Sequence, residues 1–223
     1  MKQEVASFLD YVAHSPTVFQ ATQQACDMLD AAGFTRLSEH EAWEILPGGR
    51  YYVTRNRSAL VAFAVPENGF THCQIVASHG DSPTFKLKAH AEGEAAGAYI
   101  RLDVEPYGGM IMSTWFDRPL SIAGRALVRE DGRLVTRLID LDRDAALIPN
   151  MPIHFNRDIN SGYSYNPQTD MAALVGDIAK EGSFTALLAK EVGVQEAQIL
   201  GKDVFLYNRD KCKLLGLEEE YIC

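Results

Sequence analysis

The 223 residues carry 30 acidic and 21 basic side chains, a formal charge of −9. A chain this acidic lacks the positive surface that a phosphate backbone or an anionic bilayer attracts, so neither nucleic acid nor a membrane surface is an expected partner. Hydrophobic residues at 47% against 23% charged ones are ordinary globular composition, long enough for one full core or two smaller ones, and they exclude extensive disorder.

The longest apolar stretch, residues 59–65, is strand-sized and far below the roughly 18 residues of a spanning helix. Glu4 and Asp10 near the start do not fit a signal peptide. Cys26, Cys73, Cys212 and Cys223 form no CxxC pair, so reduced thiols in a cytoplasmic protein are expected rather than a disulfide framework.

Val5, Phe8, Leu9 and Val12 recur at i, i+3, i+4 and i+7 and predict a first helix with one apolar stripe. A second helix is predicted next, with Ser15 as N-cap, Pro16 in the first helical position and Gly33 ending it in the left-handed conformation. From Arg50 the pattern turns to strand: residues 50–55 and 58–65 are rich in Tyr, Val, Ala and Phe, with Asn56-Arg57 as the turn and Pro66 as the stop. After a polar loop with Gly69, the compact run at 72–78 (HCQIVAS) predicts a strand buried on both faces.

Beyond Glu92, strands are predicted at 98–105, 110–116, 120–129 and 133–140, the last two joined at Asp131-Gly132. A helix capped by Ser183 and stopped by Gly193 puts Phe184, Leu187, Leu188 and Val192 on one face, and 203–208 returns to a buried-strand pattern. The expected layout is α/β: a first α/β part at 1–92, a β-rich unit at 93–198, and a last segment at 199–223 that the resemblance given below makes a return into the first part.

His79-Gly80-Asp81 is the most informative tripeptide. A buried strand ending in His-x-Asp puts an imidazole at the carboxyl edge of a sheet, where open α/β sheets place their ligands. A neutral His79 can ligate a divalent metal, and Asp81 can orient a ligand or stabilise a reacting water. Gly80 is expected to let the loop turn between them and Pro83 to stiffen its exit. The alternative is a hydrogen-bonded loop histidine beside a carboxylate.

Ordered blocks decide between these. Ser15-Pro16-Thr17-Val18-Phe19, Pro47-Gly48-Gly49-Arg50-Tyr51 with Thr54-Arg55-Asn56, Ser78 to Pro83, Ser113 to Arg118, and Ile153-His154-Phe155-Asn156-Arg157 together resemble the aspartyl aminopeptidase family over nearly the whole chain. The resemblance implies a zinc-exopeptidase-type α/β/α catalytic domain interrupted by a β-rich assembly domain. It implies a co-catalytic pair of divalent ions, usually zinc with cobalt or manganese possible, and removal of acidic residues from peptide N-termini. By the same match His79 is a metal ligand, Asp81 the carboxylate that orients it, and His154 a residue donated to a neighbouring subunit's substrate site. Homo-oligomers built from dimers, typically dodecamers, are also implied.

The family's remaining motifs, a bridging aspartate, paired glutamates and a final aspartate and histidine, do not occur in this sequence, which reaches Glu219-Glu220-Tyr221-Ile222-Cys223 where the bridging aspartate should follow. One matched ligand predicts weak metal binding and negligible hydrolysis by these residues alone. Three readings follow: part of an aminopeptidase, a non-catalytic assembly module of the same ancestry, or a different two-metal exopeptidase or deacylase with a similar insert, the last resting on fold-level analogy alone. Glu218–Glu220 reads as a solvated acidic run, Trp115, Asp117 and Arg118 as packing and an ion pair, and His14, His40, His72 and His90 as structural or exposed.

Overall fold

A computed structural model describes residues 3–178 and 183–223. Its contacts divide the chain into Met1–Ser82 with Cys212–Cys223, and Pro83–Lys211. Both boundaries differ from the expected 92/93 and 198/199. Strand β4 (Thr84–Ala95) runs through residue 92 without a break, and β9 (Ile199–Asn208) pairs along β6 (Leu120–Glu130), so both belong to the second unit.

The first unit opens with helices α1 (Gln3–Ala13) and α2 (Val18–Ala31). The stripe on α1 is present but uncovered, since none of its residues is buried and Phe8 and Val12 are exposed. The cap of α2 is Thr17, not Ser15: Thr17 is extended and its hydroxyl accepts from the Phe19 N–H at 3.3 Å, which moves the helix start two residues along. At the other end Gly33 has φ +77°, and bonds from Phe34 N–H to Leu29 and from Gly33 N–H to Asp30 close the expected left-handed stop.

Strands β1 (Thr35–Leu37), β2 (Arg50–Arg55) and β3 (Ala59–Ala64) form a sheet in the order β1-β2-β3, the first pair parallel and the second antiparallel. Asn56 and Arg57 both take positive φ, 52° and 54°, as a tight hairpin turn requires. Gly49 is needed for space: a Cβ there would stand 2.3 Å from the Tyr51 hydroxyl, which accepts from the Leu46 N–H at 2.9 Å. Tyr52 is fully buried and donates to the Asp30 carboxylate at 2.7 Å, tying the sheet to α2. Burial, reinforced by that hydrogen bond, pushes its phenol up to about 12.

The expected buried strand at 72–78 is not one. Those residues lie outside every ladder and are exposed throughout. A strand is stabilised by neighbours that pair its edges and cover its faces, and the described residues supply neither here. The first unit is correspondingly thin in core: among its described residues only Phe19, Cys26, Tyr51 and Tyr52 are buried apolar side chains. Strands β10 (Leu214–Leu215) and β11 (Tyr221–Ile222) make a short antiparallel hairpin in this unit.

The second unit is a six-stranded sheet in the order β7-β6-β9-β4-β5-β8, with β5 at Tyr99–Tyr107, β7 at Arg133–Asp140 and β8 at Ala173–Asp177. Every pairing in it is antiparallel. Asp131 and Gly132 have φ +49° and +77°, the predicted turn between β6 and β7. Phe85, Leu102, Val104, Ile122, Ile148, Leu188 and Leu206 belong to one continuous buried cluster. Two short helices complete the unit, α3 (Pro167–Asp170) and α4 (Phe184–Val192). Ser183 and Gly193 bound α4 as expected. Glu92 on β4 adds a carboxylate acceptor for the Phe184 N–H, favourable at a helix N-terminus. The predicted strand at 110–116 is instead a 3-10 turn at Met112–Trp115, which lets Trp115 pack edge-on against Phe85, ring centres 5.2 Å apart.

Asp203 joins three strands, with Lys86 Nζ at 3.0 Å and Arg125 Nη2 at 2.9 Å. Burial raises its pKa, but the hydrogen bonds from Lys86 and Arg125 outweigh it and hold the carboxyl below its ordinary value of 3.8. Its contribution to stability is therefore present at neutral pH and is lost as pH falls below 3.8 through the lower folded value, because the unfolded chain takes up the proton first. Urea unfolding of Asp203→Asn between pH 2 and 6 should show a shallower acid decline than the parent; an unchanged slope would remove Asp203 from the acid response.

Candidate metal centre

The site is built on the segment that follows the exposed run. His79 Nδ1 lies 3.0 Å from Asp81 Oδ1, and the His79 side chain is 93% exposed against 35% for Asp81. An ionised carboxylate only accepts, so Nδ1 carries the hydrogen and, in the neutral ring, Nε2 carries the lone pair. Asp81 thus selects the tautomer and the orientation that leave Nε2 open to solvent. This is the carboxylate–histidine arrangement that raises imidazole basicity toward a metal.

Gly80 contributes less than expected. Its φ is not positive, and a Cβ would meet nothing nearer than 3.9 Å, so the turn does not draw on glycine's conformational freedom.

His154 sits in the second unit, exposed within a turn-rich stretch beside exposed Ile153 and Phe155. Trp115 and Phe116 pack against the second core, Phe116 also against Tyr165 at 5.0 Å. Asp117, at φ +56°, accepts from Asn150 N–H at 2.9 Å, and Arg118 pairs with Asp210 at 3.0 Å. The aromatic packing matches the expectation, whereas the ion pair of Arg118 is made with Asp210 and not with Asp117. Glu218, Glu219 and Glu220 are exposed, Glu220 accepting from Glu218 N–H at 3.2 Å, and His14, His40, His72 and His90 are exposed as well.

Among the described residues no three His, Cys, Asp or Glu side chains come together to hold a metal. The donor set fits one ligand position at His79 and does not complete a site, since structural and catalytic zinc centres take three or four protein ligands. Sequence reasoning missed the solvent-facing state of the run before His79 and the capping role of Glu92. An acidic residue reaching a helix start from another strand leaves no signal in local spacing.

An α/β unit with a carboxylate-braced imidazole is followed along the chain by an antiparallel β unit. Residues 11–223 match the family described as Aminopeptidase I zinc metalloprotease (M18). A probable M18 family aminopeptidase 2 of Clostridium acetobutylicum is 40% identical over 100% of this chain and 54% of its own length. Ape4, solved by electron cryo-microscopy in complex with Nbr1, is 36% identical with a TM-score of 0.90, covering 97% of this chain and 46% of that one. The mApe1 of Chaetomium thermophilum is 29% identical with a TM-score of 0.84, covering 97% and 53%. The chain belongs to the M18 aminopeptidase family, and it spans about half the length of the curated relatives it matches.

Proposed function

We propose that these residues are the N-terminal half of a two-metal aminopeptidase that removes Asp or Glu from peptide N-termini, with His79 as one metal ligand. The observation that carries this reading is the braced imidazole with its open Nε2, on a chain of a zinc metalloprotease family. Zinc is the expected ion, with cobalt or manganese as alternatives, because imidazole and carboxylate donors accept all three. When bound, such ions supply Lewis-acid activation of water and of the scissile carbonyl. Asp81 holds the ring, and His79 offers the lone pair.

With one ligand, the 223 residues alone are inactive in this reading. The second unit serves assembly: it has its own core, and its loop exposes Met151, Ile153 and Phe155 around His154. That loop supports a homo-oligomer in which His154 reaches a neighbouring subunit's substrate site. A non-catalytic assembly module is the second reading, favoured by the same pairing of a complete second core with an incomplete metal site.

The test is to assay the purified chain on aspartyl and glutamyl substrates with added zinc, cobalt or manganese, while measuring bound metal. No turnover is expected. Hydrolysis that tracks metal content would refute inactivity, and binding of two ions by the chain alone would refute the single-ligand site.

A further inference from the structure

Asn68-Gly69 is the only Asn-Gly pair in the chain, and it lies in the turn that follows β3. Both residues are exposed, and neither makes a hydrogen bond with the described residues. Gly69 has φ +51°, and a Cβ built on it would meet nothing within 4 Å. Its backbone nitrogen is thus held by no acceptor, and no side chain of its own crowds that nitrogen.

The other asparagines differ at this same atom. The N–H after Asn160 donates from Ser161 to the Asp158 carbonyl at 2.8 Å, and the N–H after Asn208 donates from Arg209 to the Pro119 carbonyl at 3.0 Å. Asn150 accepts from the Met151 N–H through its own carboxamide oxygen at 3.1 Å. Asn166 precedes Pro167, which has no N–H. Asn56 and Asn156 precede arginines, whose side chains crowd the approach.

We propose that Asn68 is a site of spontaneous covalent modification, which converts it to aspartate and isoaspartate through a succinimide. Asparagine is among the chemically labile residues, and its loss here needs only the neighbouring nitrogen and water. The Gly69 nitrogen attacks Cγ of Asn68 and forms a new N–C bond. The bond from Cγ to the carboxamide nitrogen breaks, and that nitrogen leaves as ammonia with the proton Gly69 gives up. Water then opens the ring. Addition at Cγ restores the ordinary main chain with aspartate at 68; addition at the Asn68 carbonyl carbon leaves the chain running through Cγ as isoaspartate. Nothing is oxidised or reduced. Either product adds a negative charge next to Glu67, and isoaspartate also inserts a methylene into the main chain between β3 and His79.

The test is to age the purified 223-residue chain at neutral and at mildly alkaline pH, both folded and in denaturing urea. An acidic band should appear in isoelectric focusing, sooner at the alkaline pH because the Gly69 nitrogen attacks once it has lost its proton. Trypsin releases residues 58–86, in which Asn68 is the sole asparagine. That peptide should gain the mass of an amide replaced by an acid, as two products that chromatography separates, at nearly equal rates in the folded and unfolded chain. Asn160, in the tryptic peptide 158–180, should lag behind it and be slower folded than unfolded. Asn68→Gln should lose the acidic band with an unchanged circular dichroism spectrum, since the position is exposed and makes no bond.

An acidic band that persists in Asn68→Gln would overturn the proposal. So would protection of Asn68 by about tenfold or more in the folded chain, the sign of a locally ordered turn that withholds the nitrogen. Aspartate without isoaspartate would mean direct hydrolysis of the carboxamide and would overturn the part assigned to Gly69.

Discussion

Replacing His79 with alanine in an M18 enzyme that contains these residues should lower turnover of an acidic aminoacyl substrate by about a thousandfold or more. A metal ion at the scissile carbonyl supplies several kcal/mol of charge stabilisation, and each 1.4 kcal/mol is a factor of ten in rate. The loss should appear as missing metal with assembly intact, because His79 lies in the first unit and is almost wholly exposed. Asp81→Asn should do less, on the order of 10- to 100-fold in metal affinity. The amide oxygen still accepts from Nδ1, but the negative charge that raises imidazole basicity is gone. Calorimetric titration with cobalt and turnover measured side by side check both. Full metal occupancy in His79→Ala would end its assignment as a ligand. A spectrum placing the ring proton on Nε2 would end the bracing role of Asp81.

What the sequence revealed and what it hid follow from the range of the interactions involved. Turn chemistry is local, so Asn56-Arg57, Asp131-Gly132, Ser183 and Gly193 were legible from composition at single positions. Ser15-Pro16 satisfies the same capping rule as Thr17 two residues on, and only the extended backbone at Thr17 separates the two. The unit boundary is hard to read from sequence because the register of β4 shifts at a bulge between Leu87 and Glu92, which masks a twelve-residue strand. The run at 72–78 is the informative miss. Its composition asks for burial on both faces, while burial depends on neighbours, and neighbours are a property of the whole fold. The His-x-Asp pair was readable because a two-residue spacing is enough to bring Nδ1 within 3.0 Å of the carboxylate; the ligands that would complete a metal site cannot be read from that spacing.

Gly124→Ala should unfold the second unit about 10 °C lower than the parent. Gly124 on β6 lies opposite Val204 on β9, and a Cβ there would stand 2.1 Å from the Asp203 carbonyl oxygen and 2.8 Å from the Val204 Cα. Both are backbone atoms of a paired strand, so no side chain can swing aside. The strands must separate instead, at a point flanked by fully buried Ile122, Ala123 and Leu206, where interior packing leaves little slack. Separation also disturbs Asp203 and its bonds to Lys86 and Arg125. Overpacking of this kind costs about 3 kcal/mol at the upper end of its usual range, and in a unit of this size each kcal/mol lowers the melting temperature by several degrees. Gly201→Ala is the matched control on the same strand pair: a Cβ there meets only Leu127 Cβ at 4.0 Å and its φ is not positive. That variant should melt within a few degrees of the parent, since a tolerated Gly→Ala change restricts the unfolded chain and is worth under about 1 kcal/mol. Differential scanning calorimetry of the two variants side by side decides the matter: equal melting temperatures would mean that β6 and β9 do not approach as closely at Gly124 as the fold requires.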